Sequence, residues 1–241
     1  METGEENQAE LAVGEIQRAV RQGDRGAVAR LLSDQPQLAS APSVRGGSLL
    51  LEAFEREAQD IADLFVNARN DRGITELDLH EACAMGRAGI VQKRLTDDPL
   101  LFDEVGPAGF YPLHRAAYRG HADAVSLLLQ MGADANVCSE NGASLTPLHS
   151  VVAGAARFGS TPEAASGSDF DATCRRLMAA GADAHLRMEG DWTAISAAER
   201  DGLHGLLPVL RPLPLAEPSP SREDLANQTL PGERLSAEFT E

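Results

Sequence analysis

Apolar residues recur along the chain in pairs of short clusters. The clearest pair begins at Tyr111, where the sequence reads YPLHRAAYRGHADAVSLLLQMGADANV. Its apolar positions form two clusters with the spacing of amphipathic helices, and Gly120 lies between them. This glycine can adopt the left-handed conformation that ends a helix, and Pro112 suits a first helical turn. The pattern therefore predicts a helix, a tight turn, a second helix and then an extended loop.

The same pattern recurs along most of the chain. Gly86 stands 34 residues before Gly120 in an equivalent position, and Glu57 replaces the glycine one unit earlier. Six units can be aligned in this way, and they start near residues 14, 48, 77, 111, 146 and 193. The first unit is rich in charged residues and the sixth has Pro208 in its second helix, so we interpret these two as caps of the array.

Three segments fall outside the pattern. Residues 1–13 form a charged N-terminal lead, and residues 216–241 form an acidic tail without apolar periodicity, which we expect to be disordered. The fifth unit is longer than the fourth. The extra residues lie within about 154–170, where Gly, Ser, Ala and Thr predict a loop insertion.

These motifs resemble those of the ankyrin repeat family. Ankyrin units open with T-P-L-H-x-A and recur about every 33 residues, and this chain has YPLH at residue 111 and TPLH at residue 146. The resemblance covers about residues 14–215. It implies an all-α ankyrin-repeat solenoid of about six helix-turn-helix units with connecting loop fingers. We expect an elongated, mostly helical monomer in which each unit contacts only its neighbours.

The resemblance also implies a function, which is non-catalytic binding of a protein partner through the concave face and the loop fingers. In this family, partners usually contact the fingertips and motif positions eight and nine of the first helices. Residue types that dominate interfaces are the best candidates at such places. We expect the partner-binding residues to include Met85, Phe110, Tyr118, Arg119, Trp192 and Arg200. The alternative for Phe110 and Trp192 is that they only pack between neighbouring fingers.

Three histidines, His80, His114 and His149, share motif position four. The resemblance implies that they belong to a hydrogen-bonded lattice that joins successive loops. His80 and Cys83 could share one helical face as a catalytic pair, but both positions face the stack in this repeat. No metal-ligand spacing, phosphate-binding loop or nucleophile elbow occurs in the sequence. We therefore expect no catalytic residues, no cofactor and no metal, and hence not an enzyme.

Charge and cysteine content narrow the classes of partner and compartment. Asp and Glu total 37 against 21 Lys and Arg, a formal net charge of −16, which opposes binding to nucleic acid and to anionic membranes. The three cysteines, Cys83, Cys138 and Cys174, show no paired spacing and fit a reducing compartment. The first residues are acidic and polar, unlike a secretory signal. We expect a cytoplasmic protein whose protein partner is unidentified.

Two other functions stay open. One is a stoichiometric inhibitor or immunity-type protein whose acidic surface covers a basic active site; a strongly negative concave face would favour it. The other is an enzyme or enzyme subunit that uses the 154–170 insertion as a lid. A cleft beside the insertion, lined by His149, Arg157 or Cys174, would favour the second.

Overall fold

Each of the six predicted units contains a pair of helices, and in five of them a tight turn joins the pair. The structure, a computed structural model, describes residues 2–211 apart from 45, 74–75 and 160–168. Helices of this part of the chain are α1 (Glu2–Gln22), α2 (Arg25–Asp34), α3 (Leu49–Glu55), α4 (Gln59–Asp71), α5 (Leu79–Ala84), α6 (Ala88–Asp97), α7 (Pro112–Tyr118), α8 (Ala122–Gln130), α9 (Pro147–Phe158), α10 (Phe170–Ala179), α11 (Ala194–Arg200) and α12 (Leu207–Leu210). Short 3-10 helices span Pro36–Ser40, Pro99–Asp103 and Pro107–Gly109.

Local sequence signals set where the helices begin and how each pair turns. The side chains of Ser48, Asp78 and Thr193 cap α3, α5 and α11 by accepting backbone N–H groups of the first turn. Between the helices of a pair, one residue adopts a left-handed φ of 62° to 69°; these residues are Gly23, Glu57, Gly86, Gly120 and Gly202. The same left-handed turn therefore stands at motif position ten in five of the aligned units, including the one where glutamate replaces glycine.

The odd-numbered helices pack in one row, and most even-numbered helices pack in a second row behind it. One continuous apolar core runs between the rows. Ala116 and Ala117 of α7 are fully buried, so the small side chains at motif positions six and seven do face the stack, as predicted. Helices α7 and α9 approach each other closely, because a Cβ on Gly154 would come within 1.9 Å of the Tyr118 carbonyl oxygen.

The predicted insertion is partly wrong. Residues 154–158 were expected in the loop, but they form the last turn and a half of α9. Gly154 and Ala155 are buried, so the apolar face of the helix continues past the point where the loop was expected to begin. Residues 160–168 lie outside the described residues, and the chain returns at the start of α10.

The ends of the chain also bear on the predicted domain bounds. Residues 2–13 continue into the first helix of the first unit instead of preceding it, and Ala12 is buried there. Pro208 lies in the first turn of the four-residue helix α12, where proline is tolerated, so it shortens this helix without kinking it. The predicted tail at 216–241 lies outside the described residues. Within residues 2–211, as far as they are described, no helix is both long enough and apolar enough to cross a bilayer.

The loops between units form hairpin-like fingers. In four of them a backbone N–H donates across the turn: Ser43 to the Gly47 carbonyl, Gly106 to Phe110, Ser139 to Leu145 and Met188 to Trp192, at 2.8 to 3.0 Å. Neighbouring fingers are joined as well, because the Glu140 N–H donates to the Gly109 carbonyl at 2.8 Å. The Glu189 N–H donates to the Ala143 carbonyl at 3.0 Å. The fingers thus hold a fixed position beside the first-helix row.

Candidate functional site

A groove of about 360 Å³ runs between the fingers and the first helices of units two to five. We call it the central groove. Its apolar lining comes from α3, α7, α9 and two fingers, and consists mainly of Leu51, Phe54, Phe110, Tyr118, Leu145 and Ala153. Its charged lining is Glu55, Arg115 and Arg119. The groove is therefore an apolar surface with two guanidinium groups in it.

Arg119 lies between two aromatic rings. Its guanidinium carbon is 4.6 Å from the centre of the Phe158 ring and 5.6 Å from that of Phe54. Nη2 also donates to the Phe54 carbonyl oxygen at 2.9 Å. Burial lowers the pKa of Arg119. Both rings attract the cation, so they hold this side chain in one orientation.

Arg115 joins three parts of the solenoid through one buried side chain. Nη1 donates to Glu55 at 2.5 Å, Nη2 to the Pro107 carbonyl at 2.6 Å, and Nε to Nδ1 of His80 at 3.2 Å. Glu55 belongs to unit two and His80 to unit three, whereas Arg115 belongs to unit four. The ion pair with Glu55 neutralises the Arg115 charge inside the groove.

A second ion pair crosses the concave face. Arg157, near the end of α9, donates to both carboxylate oxygens of Glu57, with Nε to Oε1 at 2.8 Å. We call this contact the cross-unit bridge; it joins residues 100 positions apart in the chain. The expectation that each unit contacts only its neighbours is therefore wrong. The extra length of α9 and the reach of the arginine side chains connect units four and five to unit two.

The six residues predicted to bind a partner do not all lie together. Phe110, Tyr118 and Arg119 line the central groove. Met85 is half-buried and packs against the core. Trp192 is 39% exposed, and the Arg200 guanidinium lies 4.9 Å from the centre of its ring, outside the groove lining. The candidates thus divide between the groove, the core-packed Met85, and the exposed pair of Trp192 and Arg200.

Sequence reasoning missed several groove residues. Phe54 stands at motif position seven, where the fourth unit has Ala117, and this large side chain at a small-residue position was a usable signal. Tyr118 packs edge-to-face on Phe158 with ring centres 5.5 Å apart, but no sequence signal placed Phe158 on a helix. Leu145 closes a finger, a position whose side chain direction the sequence does not specify.

Two of the three histidines form the predicted lattice. Nε2 of His114 donates to the Leu145 carbonyl at 2.8 Å, and Nε2 of His149 donates to the Trp192 carbonyl at 3.2 Å. His80 differs, because its Nδ1 accepts from Arg115. Burial lowers the pKa of His80 to about 3, with a smaller contribution from the charge of Arg115, and burial lowers that of His114 to about 4. All three rings are held neutral near pH 7, since burial lowers the pKa of His149 too.

The residues weighed for catalysis are arranged as follows. Cys83 is fully buried, and burial raises the pKa of its thiol; burial raises that of Cys174 to about 12. Both thiols are therefore protonated at neutral pH, which makes them poor nucleophiles. Of the three residues weighed for the enzyme hypothesis, His149 lines the central groove, whereas Arg157 and Cys174 do not belong to its lining. However, both ring nitrogens of His149 are hydrogen-bonded to Thr146 or Trp192.

Two further observations bear on the alternatives. In the described part of the chain, no group of three or more His, Cys, Asp or Glu side chains is placed to hold a metal ion. The groove lining has two arginines and one glutamate, which is the opposite of the negative concave surface that an inhibitor of a basic active site would need.

Comparisons with known proteins gave a match to one protein family and a similar solved structure. Residues 113–160, which run from α7 to just past α9, match the family model described as ankyrin repeats (many copies). A crystal structure of an ankyrin repeat protein is similar, with 24% sequence identity, a TM-score of 0.47, and coverage of 84% of this chain and 98% of that one. The family match falls on the two units whose motifs the sequence displays most clearly.

Proposed function

We propose that this helical solenoid, whose residues 113–160 match the ankyrin repeat family model, is a non-catalytic module that binds a protein partner through the central groove and the adjoining fingers. Ankyrin repeats generally mediate protein–protein interactions. The single observation that carries the proposal is the groove itself, which opens at the concave face and has a largely apolar lining. Phe110, Tyr118 and Arg119 are the proposed contact residues within it.

The size and order of the groove support this proposal. Its volume of about 360 Å³ falls in the range of clefts that bind small groups or a few side chains. Its walls are held by finger-to-finger hydrogen bonds and by the ring contacts of Arg119. A preorganised surface loses little conformational entropy when a partner binds, which favours affinity.

The charge balance supports a protein partner over a polyanion. With a formal net charge of −16, the chain has few cations to neutralise phosphates, so we propose that it binds neither nucleic acid nor anionic lipid. Cys83, Cys138 and Cys174 are all free thiols. We accordingly propose a reducing, cytoplasmic location and a monomer as the binding form.

Affinity capture from the native cell tests the proposal. The full-length chain, its Phe110→Ala variant and its Leu100→Ala variant serve as bait, and recovered proteins are quantified by mass spectrometry. Leu100 is the matched control, because it is 77% exposed and lies outside the groove lining. We expect the Phe110→Ala bait to recover at least about tenfold less of a partner than the wild-type chain does, as for an interface hot spot. The Leu100→Ala bait should recover as much as the wild-type chain. Equal recovery with both variants would contradict the groove as the binding site.

A further inference from the structure

We propose that the central groove recognises a short peptide segment in which a large apolar side chain lies next to a carboxylate. The carboxylate would pair with Arg119, and the apolar side chain would pack against Phe54 and Phe110. This inference rests on the proposed function and names the chemistry of the partner at the same site.

The first argument is the charge balance around the groove. Three guanidinium groups lie at or beside it, and two of them have a hydrogen-bonded carboxylate: Arg115 has Glu55, and Arg157 has Glu57. Among the described residues, Arg119 makes no hydrogen bond to a carboxylate. The Glu57 charge acts on Arg119 from a distance, but Glu57 is already bound by Arg157. The site therefore carries one positive charge in excess, although the whole chain is strongly acidic.

The second argument is the state of the Arg119 side chain. A guanidinium has five N–H donors in a plane that fits a carboxylate. One nitrogen, Nη2, donates to the Phe54 carbonyl, and the other nitrogens have no hydrogen-bond acceptor among the described residues. Because the group is half-buried between rings, water screens it less than it screens a surface arginine. A carboxylate that pairs with Arg119 would therefore gain more binding free energy than one that pairs with an exposed arginine.

The third argument is what surrounds Arg119. The side chains of Phe54, Phe110, Tyr118 and Leu145 line the same groove, within a volume of about 360 Å³. An apolar side chain placed there is removed from water, which favours binding. A ligand with only a carboxylate would leave these walls exposed, and a purely apolar ligand would bury the guanidinium without a counter-ion. The groove matches a segment that supplies both groups.

Peptide display tests this inference on the full chain. A random library of 12-residue peptides is selected on the immobilised protein, and the most enriched peptide is synthesised with an N-terminal fluorescein. We expect its motif to place Asp or Glu within two positions of Leu, Ile, Phe or Trp. Changing that acid to its amide in the peptide should weaken binding at least about tenfold, as measured by fluorescence anisotropy, because the ion pair is lost.

Protein variants then assign the effect to the groove. Arg119→Gln should weaken binding of the acidic peptide at least about tenfold and leave the affinity for the amide peptide unchanged. This coupling is expected when the arginine pairs directly with the acid. Arg175→Gln is the matched control, because Arg175 is an exposed arginine of α10 outside the groove lining, and it should change neither affinity. Thermal melting shows whether Arg119→Gln loosens the fold. The comparison of the acidic peptide with its amide uses the wild-type protein. Its result therefore remains valid even if Arg119→Gln loosens the fold.

Three results would overturn the inference: no enriched peptide, an enriched motif without an acid, or equal losses for both peptides in Arg119→Gln. These outcomes are distinct from failure of the proposed function. If the cell-derived partner still depends on Phe110 while the peptides fail, the groove binds a partner of different chemistry. If Phe110→Ala does not reduce recovery of the cell-derived partner, the proposed function itself is wrong.

Discussion

At the scale of single residues, units four and five differ at the first motif position, and the hydrogen bonding of the buried histidine three residues later differs with it. In unit five, the Thr146 hydroxyl donates to Nδ1 of His149 at 2.8 Å, and the Thr146 N–H donates to the same atom at 3.2 Å. In unit four, Tyr111 replaces threonine, and Nδ1 of His114 is buried without a partner among the described residues. The Tyr111 hydroxyl instead donates to Glu140 on the surface.

This difference gives a paired prediction on stability. Thr146→Val keeps the shape of the side chain and removes the hydroxyl, so Nδ1 of the buried His149 loses its shorter bond; we expect a loss of about 1–2 kcal/mol in the free energy of unfolding. Tyr111→Phe removes a hydroxyl from the same motif position but breaks only an exposed bond. Its effect should stay within about 0.5 kcal/mol. Urea denaturation measures both, and equal losses would contradict the assignment.

Neutral buried histidines also make stability depend on pH. A histidine in the unfolded chain has a pKa of about 6.5, whereas the pKa of folded His80 is about 3. The unfolded state therefore binds the proton first as the pH falls, so the contribution of His80 is complete above about pH 6.5 and is lost on acidification towards pH 3. His114 acts with the same sign over the window from about 6.5 down to about 4.

We expect His80→Gln to reduce this acid sensitivity. Glutamine offers Arg115 an oxygen acceptor but takes up no proton. Between pH 6 and pH 5, the wild-type chain should lose about 1 kcal/mol more than the variant in the free energy of unfolding, which is close to one proton per molecule. Urea titrations at both pH values test this. Parallel losses in the two proteins would show that His80 is protonated in the folded state.

At the scale of helices, α9 is longer than α3, α5, α7 and α11 of its row. It has 12 residues, whereas α5 has six and α7 and α11 have seven each. The extension requires Gly154, because α9 passes so close to the end of α7 that no side chain fits there. The added turn brings Phe158 and Arg157 over the concave face, where they contact Arg119 and Glu57.

Two glycine-to-alanine variants separate packing from helix propensity. Gly154→Ala would place a methyl group against the backbone of α7, and we expect it to cost about 2–4 kcal/mol in the free energy of unfolding, because backbone must move. Gly89 is also helical, in α6, and a Cβ there would meet nothing within 4 Å. Gly89→Ala should therefore stabilise the protein by about 0.5–1 kcal/mol. Thermal or urea unfolding that shows the same sign for both would contradict the close approach.

The sequence predicted the elements well where a local signal exists. The first-turn proline, the turn at motif position ten and the small buried residues at positions six and seven are all encoded within one unit, so one unit suffices to predict them. The extension of α9 was missed because Gly, Ala and Ser are typical of loops, and only the neighbouring helix α7 makes Gly154 a packing residue. Of the predicted partner-binding residues, Phe110, Tyr118 and Arg119 line the groove, but the sequence did not predict the contact of Arg119 with Phe54.

At the scale of the molecule, the contacts of unit two with units four and five make the described solenoid less one-dimensional than a simple array. In an ideal array, stability is a sum of units and nearest-neighbour interfaces. Here Arg119 contacts Phe54, and Arg157 contacts Glu57, across the intervening unit three. Such contacts link the opening of the last turn of α9 to unit two. Contacts between units that are not neighbours have no signature in the repeat pattern, which is why sequence analysis did not predict them.

Hydrogen exchange tests this link. Arg157→Gln should raise amide exchange in the last turn of α9, residues 155–158, several-fold. It should leave the exchange of α7 unchanged and have little effect on the free energy of unfolding, because the bridge is solvent-exposed on the Arg157 side. Arg175→Gln, which breaks an exposed pair within α10, is the control. If Arg157→Gln leaves α9 as protected as before, the bridge does not hold that turn.

The three-way contact of Arg115 limits how this chain can be rebuilt from its parts. Repeat proteins are commonly treated as strings of interchangeable modules that can be added, removed or exchanged. Removing unit three would take away His80 and the Pro107 carbonyl, two of the three acceptors of a guanidinium whose side chain is only 6% exposed. The remaining charge would be buried with most of its donors unmatched, at a cost of several kcal/mol. Units two to four therefore form one indivisible segment, and shortening or consensus redesign of the array has to begin outside it.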